Sequence, residues 1–222
     1  MFKLLVLILI VMNLAVQVDG QNSYTVVYRQ LNYVDSNGRN PTSELKGALF
    51  IMNDSMTVYR LSRKEKELMT KFDLSCSDAH HGTINHLKGG YYYDIVHLKD
   101  EDLYIKVPTD TTKWIIDSNN SVTILNIKCF AAKSAEAVVW FAPSMPLKAG
   151  PMNYFGLPGL VLAVYNNRFH FVYLAKKILT TIPEIVASKQ TSIVTLEQFR
   201  ELQKKRVFIK DNQLEIRKFQ SY

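Results

Sequence analysis

Tyr24, Val26 and Tyr28 alternate with Thr25, Val27 and Arg29, so residues 23–32 send one set of side chains to each face of an extended chain and predict a first strand. Asp35-Ser36-Asn37-Gly38-Arg39-Asn40-Pro41 then supplies turn chemistry. Apolar runs at 46–52 and 56–61 flank Asn53-Asp54-Ser55 in the pattern of a hairpin. Residues 62–71, rich in Lys and Glu, read as a short helix or a solvated connector. Strand chemistry returns at 91–98, at 102–107 (ended by Pro108), at 113–116, at 121–130 and at 136–142, with a turn expected at Asp117-Ser118-Asn119-Asn120. Residues 160–165 and 168–174 flank Asn166-Asn167, and asparagine tolerates the positive φ of a two-residue primed turn. Thr195-Leu196-Glu197-Gln198 has the layout of a capping box, followed by an apolar stripe at Leu196, Phe199 and Leu202. Seven to nine short strands with turns between them predict a mainly β domain. The expected form is an antiparallel, strongly curved sheet or incomplete barrel with one or two packed helices, one of them near the C-terminus.

One stretch breaks the pattern. Pro143, Pro146, Gly150 and Pro151 interrupt the chain after the strand that carries Trp140 and Phe141. Proline has no ladder donor, so residues 143–151 must form an irregular extended loop. Gly156-Leu157-Pro158-Gly159-Leu160 follows directly. Pro158 fixes φ at the first central position of a turn and Gly159 suits positive φ at the second, which predicts a type II turn across 157–160. Leu157 and Leu160 would anchor that turn in the core, and Gly156 would let the backbone bend or approach another segment. This makes the motif a corner feeding the next strand in preference to a binding site. Trp140, Phe141, Tyr154 and Phe155 line either a ligand groove or the core, and large apolar side chains mainly supply buried area.

Composition changes this picture little. A chain with 47% hydrophobic and 21% charged residues is ordinary for a globular protein. Address matters more. Lys3 precedes an apolar run from Leu4 to Met12 that resumes at Leu14-Ala15-Val16, the layout of a secretory signal peptide and too short to span a bilayer. Residues 1–20 are therefore expected to be removed before Gln21, leaving a single domain at 21–222 that is exported and not integral to a membrane. The net charge of +7 fits either an anionic partner or a solvated basic surface. Export, with no recognition helix or stacking motif, argues against nucleic acid.

Two cysteines, Cys76 and Cys129, either form one disulfide or stand as separate buried thiols. A bridge would close a loop of roughly 50 residues and contribute about 4 kcal/mol. Catalytic signatures are missing: there is no Gly-x-Ser-x-Gly, His-Glu-x-x-His, phosphate loop or Cys-x-x-Cys. The one cluster with ligand chemistry is Cys76, Asp78, His80, His81 and His86, where imidazoles suit zinc or copper, and where the plainer reading is a polar loop. No cofactor is specified.

Ile127-Lys128-Cys129, Val139-Trp140-Phe141-Ala142-Pro143, Met145-Pro146, Gly150-Pro151 and Phe155-Gly156-Leu157-Pro158-Gly159-Leu160-Val161-Leu162 stand in an order and spacing that resembles the GLPGLI family of the Bacteroidota cell envelope. Val161 replaces the isoleucine of the family name, Ala142 stands where a threonine is frequent, and Ser134-Ala135-Glu136 stands where a Gly-Arg pair is frequent. The resemblance implies export and a β-rich domain, periplasmic, outer-membrane-associated or extracellular. It implies no catalytic residue. Three roles remain: non-enzymatic binding of an apolar ligand or partner protein in the concave sheet, a metal-dependent enzyme or hydrolase using His80, His81 and His86, and a structural or assembly role with an outer-membrane protein. A curved sheet offers a lined cavity, which puts binding first.

Overall fold

The computed structural model describes residues 23–33, 41–52, 56–62, 65–69, 72–73, 82–87, 89–98, 101–109, 113–186, 192–202 and 204. The expected signal peptide at 1–20 lies outside them, as do Cys76, His80 and His81. The strands are β1 Tyr24–Tyr33, β2 Pro41–Met52, β3 Met56–Ser62, β4 Phe72–Asp73, β5 Gly82–His86, β6 Tyr91–Leu98 and β7 Glu101–Pro108. They continue with β8 Ile115–Ile124, β9 Ile127–Lys133, β10 Ala137–Ala142, β11 Leu160–Asn166, β12 Phe171–Leu179, β13 Ile185–Val186 and β14 Ser192–Thr195. Helix α1 is Glu65–Leu68, and α2 covers 196–202.

Twelve strands form one sheet in the order β14-β7-β6-β5-β3-β2-β1-β12-β11-β10-β9-β8, antiparallel throughout except for β14 beside β7. β4 and β13 make a separate parallel pair. The fold is mainly β, and its sheet is open and curled, as expected. The loop joining β10 to β11 bonds to Asn85 on β5, five strands away from β11, which in a flat sheet would be about 24 Å.

β1 to β3 lie mid-sheet, and both of their faces are buried. On one face Val26, Tyr28, Leu49, Ile51 and Tyr59 pack with Phe141, Leu157, Leu160 and Tyr173. On the other, Ala48, Phe50, Val58, Ile84 and Tyr104 pack around Leu68 of α1. Two-sided burial explains why residues 47–51 and 57–61 read as continuous runs and show no alternation.

The described residues contain more strands than the seven to nine expected, because β4, β5, β13 and β14 are too short or too polar to register as periodic. The reverse turn expected at Asp117–Asn120 is instead a register irregularity inside β8, with Asp117 Oδ1 accepting from Asn119 N at 3.2 Å. The chain reverses at Leu125-Asn126, with φ of 51° and 62°, between the paired Ile124 and Ile127. Positive φ at both central residues is the requirement of a type I′ hairpin turn, here met at one position by leucine. The β11–β12 hairpin is also longer than expected. Asn166 pairs with Phe171, leaving residues 167–170 as the loop, and Asn166 Oδ1 accepts from Arg168 N and Phe169 N. The asparagine side chain thus mimics a backbone turn from outside the loop. At α2 the capping box forms as expected, with Thr195 N donating to Gln198 Oε1 and Gln198 N donating to Thr195 Oγ1. Its stripe is shallow: Leu196 and Phe199 are half-buried and Leu202 is exposed.

Aromatic packing dominates the larger core. Tyr59 meets Tyr28 and Tyr173 edge to face, at 6.1 Å and 5.9 Å between ring centres. Burial pushes the phenols of Tyr28, Tyr59 and Tyr173 well above their ordinary range, Tyr59 further through its two phenol neighbours. A phenol held protonated by the fold adds nothing to the pH dependence below its unfolded pKa of about 10, and costs stability progressively as pH rises above it. Alkaline titration should therefore show these three of the twelve tyrosines ionising only as the protein unfolds, read by phenolate absorbance against circular dichroism. Smooth ionisation of all twelve in the folded state would contradict the packing.

Candidate functional site: a strap across the sheet and the cleft at its tip

Residues 143–159 leave β10, cross the concave face and return to β11. The segment is extended and irregular, as the prolines require, but it is tied throughout. Within it, Leu147 N donates to Met145 O, Ala149 N to Leu147 O and Tyr154 N to Pro151 O, at 2.7–3.0 Å. Leu160 N and Val161 N, at the start of β11, donate back to Met145 O and Ala149 O. Side chains of the sheet hold the rest. Tyr28 Oη donates to Val161 O at 2.6 Å, Asn166 Nδ2 to Tyr154 Oη at 2.8 Å, and Trp114 Nε1 to Phe155 O at 3.2 Å. At the far side Asn85 Nδ2 and Thr83 Oγ1 both donate to Met152 O, at 3.1 Å and 3.2 Å. Met152 sits at φ 51°, a conformation that costs a non-glycine residue roughly 1–3 kcal/mol and needs such over-determined support.

The motif residues occupy this strap, but not as the expected turn. Gly159 does not take positive φ; among the described glycines Gly90 and Gly156 do, Gly156 at 89°. Gly159 is required for another reason. A Cβ there would lie 2.3 Å from Ala142 O and 2.6 Å from Ala142 C, so the strap's return passes against the backbone of its own departure. Gly150 is the same case, with Tyr154 O at 1.8 Å from such an atom. The chain bends at Gly156, where a Cβ would meet nothing within 4 Å and the conformation alone favours glycine. Leu157 and Leu160 are buried anchors, and Pro158, Pro143 and Pro146 are exposed on the outside of the strap, while Pro151 is buried.

Of the aromatic residues singled out in the sequence, Phe141 and Tyr154 are core. Trp140 is half-buried, and its indole Nε1 is buried without a partner. Phe155 lines the larger of two cavities, and Tyr154 also borders the smaller one. Where the strap's tip meets β6 and β7, a cleft of about 470 Å³ opens. Tyr92, Val107, Trp114 and Phe155 form its apolar walls, and Lys148, Asn153 and His86 its polar ones. Tyr92 and Phe155 meet edge to face at 5.9 Å. Burial, with Asp94 nearby, raises the Tyr92 phenol above its usual range, so it stays a neutral donor. A second cleft of about 280 Å³ lies across Trp114 and Asn153, which line both.

The His86 ring lies tilted against Tyr91 at 4.9 Å and edge to face with Tyr93 at 5.6 Å. No group of three His, Cys, Asp or Glu side chains is placed to hold a metal among the described residues. Cys129 is a free, buried thiol, pushed up in pKa by that burial, with Sγ 3.5 Å from Ile127 O. Sequence reasoning passed over Trp114, Tyr92, Lys148 and Asn153, because each sits at a strand end or in a loop with no periodic signal. Asn85 carried a signal that was not used: a polar amide inside the strand-like Thr83-Ile84-Asn85-His86, on the same face as buried Thr57.

Residues 108–163 match the model of a family described as a protein of unknown function (Porph_ging). No curated protein matches the chain. Among solved structures, PNGF-II in its P21 space group is similar at 15% identity with a TM-score of 0.56, over 81% of this chain and 32% of that one. This chain thus spans about a third of PNGF-II, and the likeness is one of fold. Weaker similarity joins a putative outer membrane lipoprotein-sorting protein domain from Vibrio parahaemolyticus, with 8% identity, 77% and 90% coverage and a TM-score of 0.35. A LolA superfamily protein from Nitrosomonas europaea follows, with 7% identity, 72% and 86% coverage and a TM-score of 0.29. The segment matched by the Porph_ging family, about a quarter of the chain, holds Trp114, the whole strap and the Gly-Leu-Pro-Gly-Leu motif.

Proposed function

We propose that this chain is an exported cell-envelope protein that works by binding and not by catalysis, and that the cleft at the strap's tip holds an apolar ligand. The cleft itself carries the reading. Its volume falls in the range of roughly 300–1,000 Å³ typical of small-molecule sites, and it combines aromatic walls with a few polar groups that can fix orientation. The concave face further along the sheet is filled by the chain's own Leu157 and Tyr154, which moves the site from the open sheet to the strap's tip. Export, with a periplasmic or outer-membrane-associated location, rests on the leader at 1–20 and on the resemblance to the GLPGLI family.

The chain has two tryptophans, and Trp140→Phe leaves Trp114 as the reporter of the cleft. A fluorescent fatty-acid probe should shift Trp114 emission to the blue, and Phe155→Ala or Tyr92→Ala should weaken binding about tenfold, as loss of one aromatic wall implies. Native mass spectrometry of protein recovered from the envelope should show an apolar adduct. Absence of both an adduct and a spectral response would end the proposal.

One observation favours a metal site as second reading: His86, the described member of the His80, His81 and His86 group, lines this same cleft. Titration calorimetry with zinc and copper decides it, since heat lost in His86→Ala supports a metal role and no heat in the parent removes it.

A further inference from the structure

The strand register gathers one rim of the sheet. Ile115 on β8 faces Lys133 on β9, Lys133 faces Val138 on β10, Ala137 faces Asn166 on β11, and Asn166 faces Phe171 on β12. Four strand spacings make this rim about 19 Å wide before curl. Its apolar side chains are turned outward: Ile115 is 73% exposed, Phe169 63% and Ile116 48%. Phe169 stands in the 167–170 loop, held by stacking on Phe171 at 6.4 Å and by the Asn166 side chain beneath it.

Between these side chains stand exposed Lys113, Lys133 and Arg168. Arg168 pairs with Glu136 at 2.8 Å, both side chains open to solvent, and lies over the Phe169 ring. Lys113 and Lys133 have no ion-pair partner among the described residues, and the next carboxylate along β8, Asp117, accepts from Asn119 N. The smaller cleft opens on the same rim, between Lys113, Ser134 and Glu136.

Exposed apolar side chains interleaved with exposed cations complement a surface that is anionic outside and apolar just beneath, as phospholipid headgroups are. We infer that this rim seats the protein on an anionic lipid surface. Ile115, Ile116 and Phe169 enter the headgroup boundary, and Lys113 and Lys133 meet lipid phosphates. The inference is independent of what occupies the larger cleft.

The test is co-sedimentation of protein recovered after export with phosphatidylcholine vesicles, with and without phosphatidylglycerol. Binding is expected only to the anionic vesicles, and it should weaken with added salt. Removing one cation near a lipid surface weakens partitioning about fivefold, so Lys113→Gln with Lys133→Gln should lower it about 25-fold. Phe169→Ser with Ile115→Ser should lower it at unchanged charge. All of these positions are exposed, so circular dichroism should show the fold intact. Lys176→Gln, an exposed lysine past the middle of β12 and away from the rim, is the control and should change binding by less than the average of the rim pair. Failure to bind anionic vesicles, rim variants that bind like the parent, or a Lys176→Gln effect equal to a rim lysine's would each overturn the inference. Rim-dependent retention on an envelope protein that persists once lipid is removed would overturn it as well.

Discussion

Gly159→Ala is expected to destabilise the protein by about 3 kcal/mol, the upper end for overpacking, because the atoms in the way are backbone and cannot rotate aside. For a chain of this size that is a fall in melting temperature of roughly 6–12 °C. The methyl group would meet Ala142 O, Ala142 C and the Cα of Pro143 at 2.3–3.0 Å. Relief requires the strap's return to lift off β10, which breaks the seating of Leu157 and Leu160. Gly156→Ala gives the contrast. It meets open space but must hold φ 89°, and should cost about 1–2 kcal/mol. Asparagine separates the two causes. It tolerates positive φ, so Gly156→Asn should be milder than Gly156→Ala, whereas Gly159→Asn should be at least as damaging as Gly159→Ala. If Gly159→Asn were better tolerated than Gly159→Ala, the close-approach account would fail and the type II turn would return. Thermal denaturation of the four variants decides it.

The same motif shows how far the sequence could be read. Glycine and proline announced that residues 143–160 leave the regular sheet, and the anchoring of Leu157 and Leu160 followed from their apolar character. Which glycine bends and which one merely fits was not legible, because φ and close approach both select glycine and only the path of a distant segment, here Ala142, distinguishes them. Of the strands with strong alternation or long apolar runs, β1, β3, β10 and β11 were placed to within one residue, while β2 begins earlier and β12 ends later than read. The β8–β9 hairpin was misread because Asp117-Ser118-Asn119-Asn120 has turn composition, while Leu125-Asn126, the actual reversal, has an apolar first residue. Tertiary pairing of Ile115 with Lys133 and of Ile124 with Ile127 overrides local preference there. The cleft was legible in Phe155, and in His86 and Gly156 only under other roles, as a metal ligand and as a bend. Its other walls come from β6, from β7 and from Trp114, and nothing in local sequence says that a strap leaving β10 will end against β6.

The second large effect concerns the strap's far anchor. Asn85→Asp should cost about 3–5 kcal/mol at neutral pH, the loss typical of an uncompensated buried charge. Asn85 is 1% exposed, its Nδ2 donates to Met152 O and Thr57 Oγ1, and its Oδ1 is buried without a partner. The aspartate keeps the shape but replaces the donor with an acceptor that faces the Met152 carbonyl. Burial disfavours the ionised form, so the new carboxyl would have a raised pKa in the fold. The folded state then binds a proton that the unfolded state releases, and stability falls as pH rises from about 3.9, the unfolded value, through the folded pKa. Above both values the penalty is complete. Acidification from neutral pH should therefore restore stability, because a protonated carboxyl can donate to Met152 O where a carboxylate cannot. Asn85→Leu removes the same donor without introducing a charge and should lose stability by a similar amount at every pH, about 1–3 kcal/mol for the bonds left unmade. Urea midpoints at pH 7 and pH 5 distinguish the variants. An Asn85→Asp protein with no gain on acidification would mean that the side chain escapes to water, and that the strap is not held at Met152. If the gain is seen, the anchor also governs the cleft. Asn153 follows Met152 directly, Phe155 comes soon after, and both line it, so at neutral pH the aspartate variant should lose the Trp114 response to an apolar probe before it loses the fold.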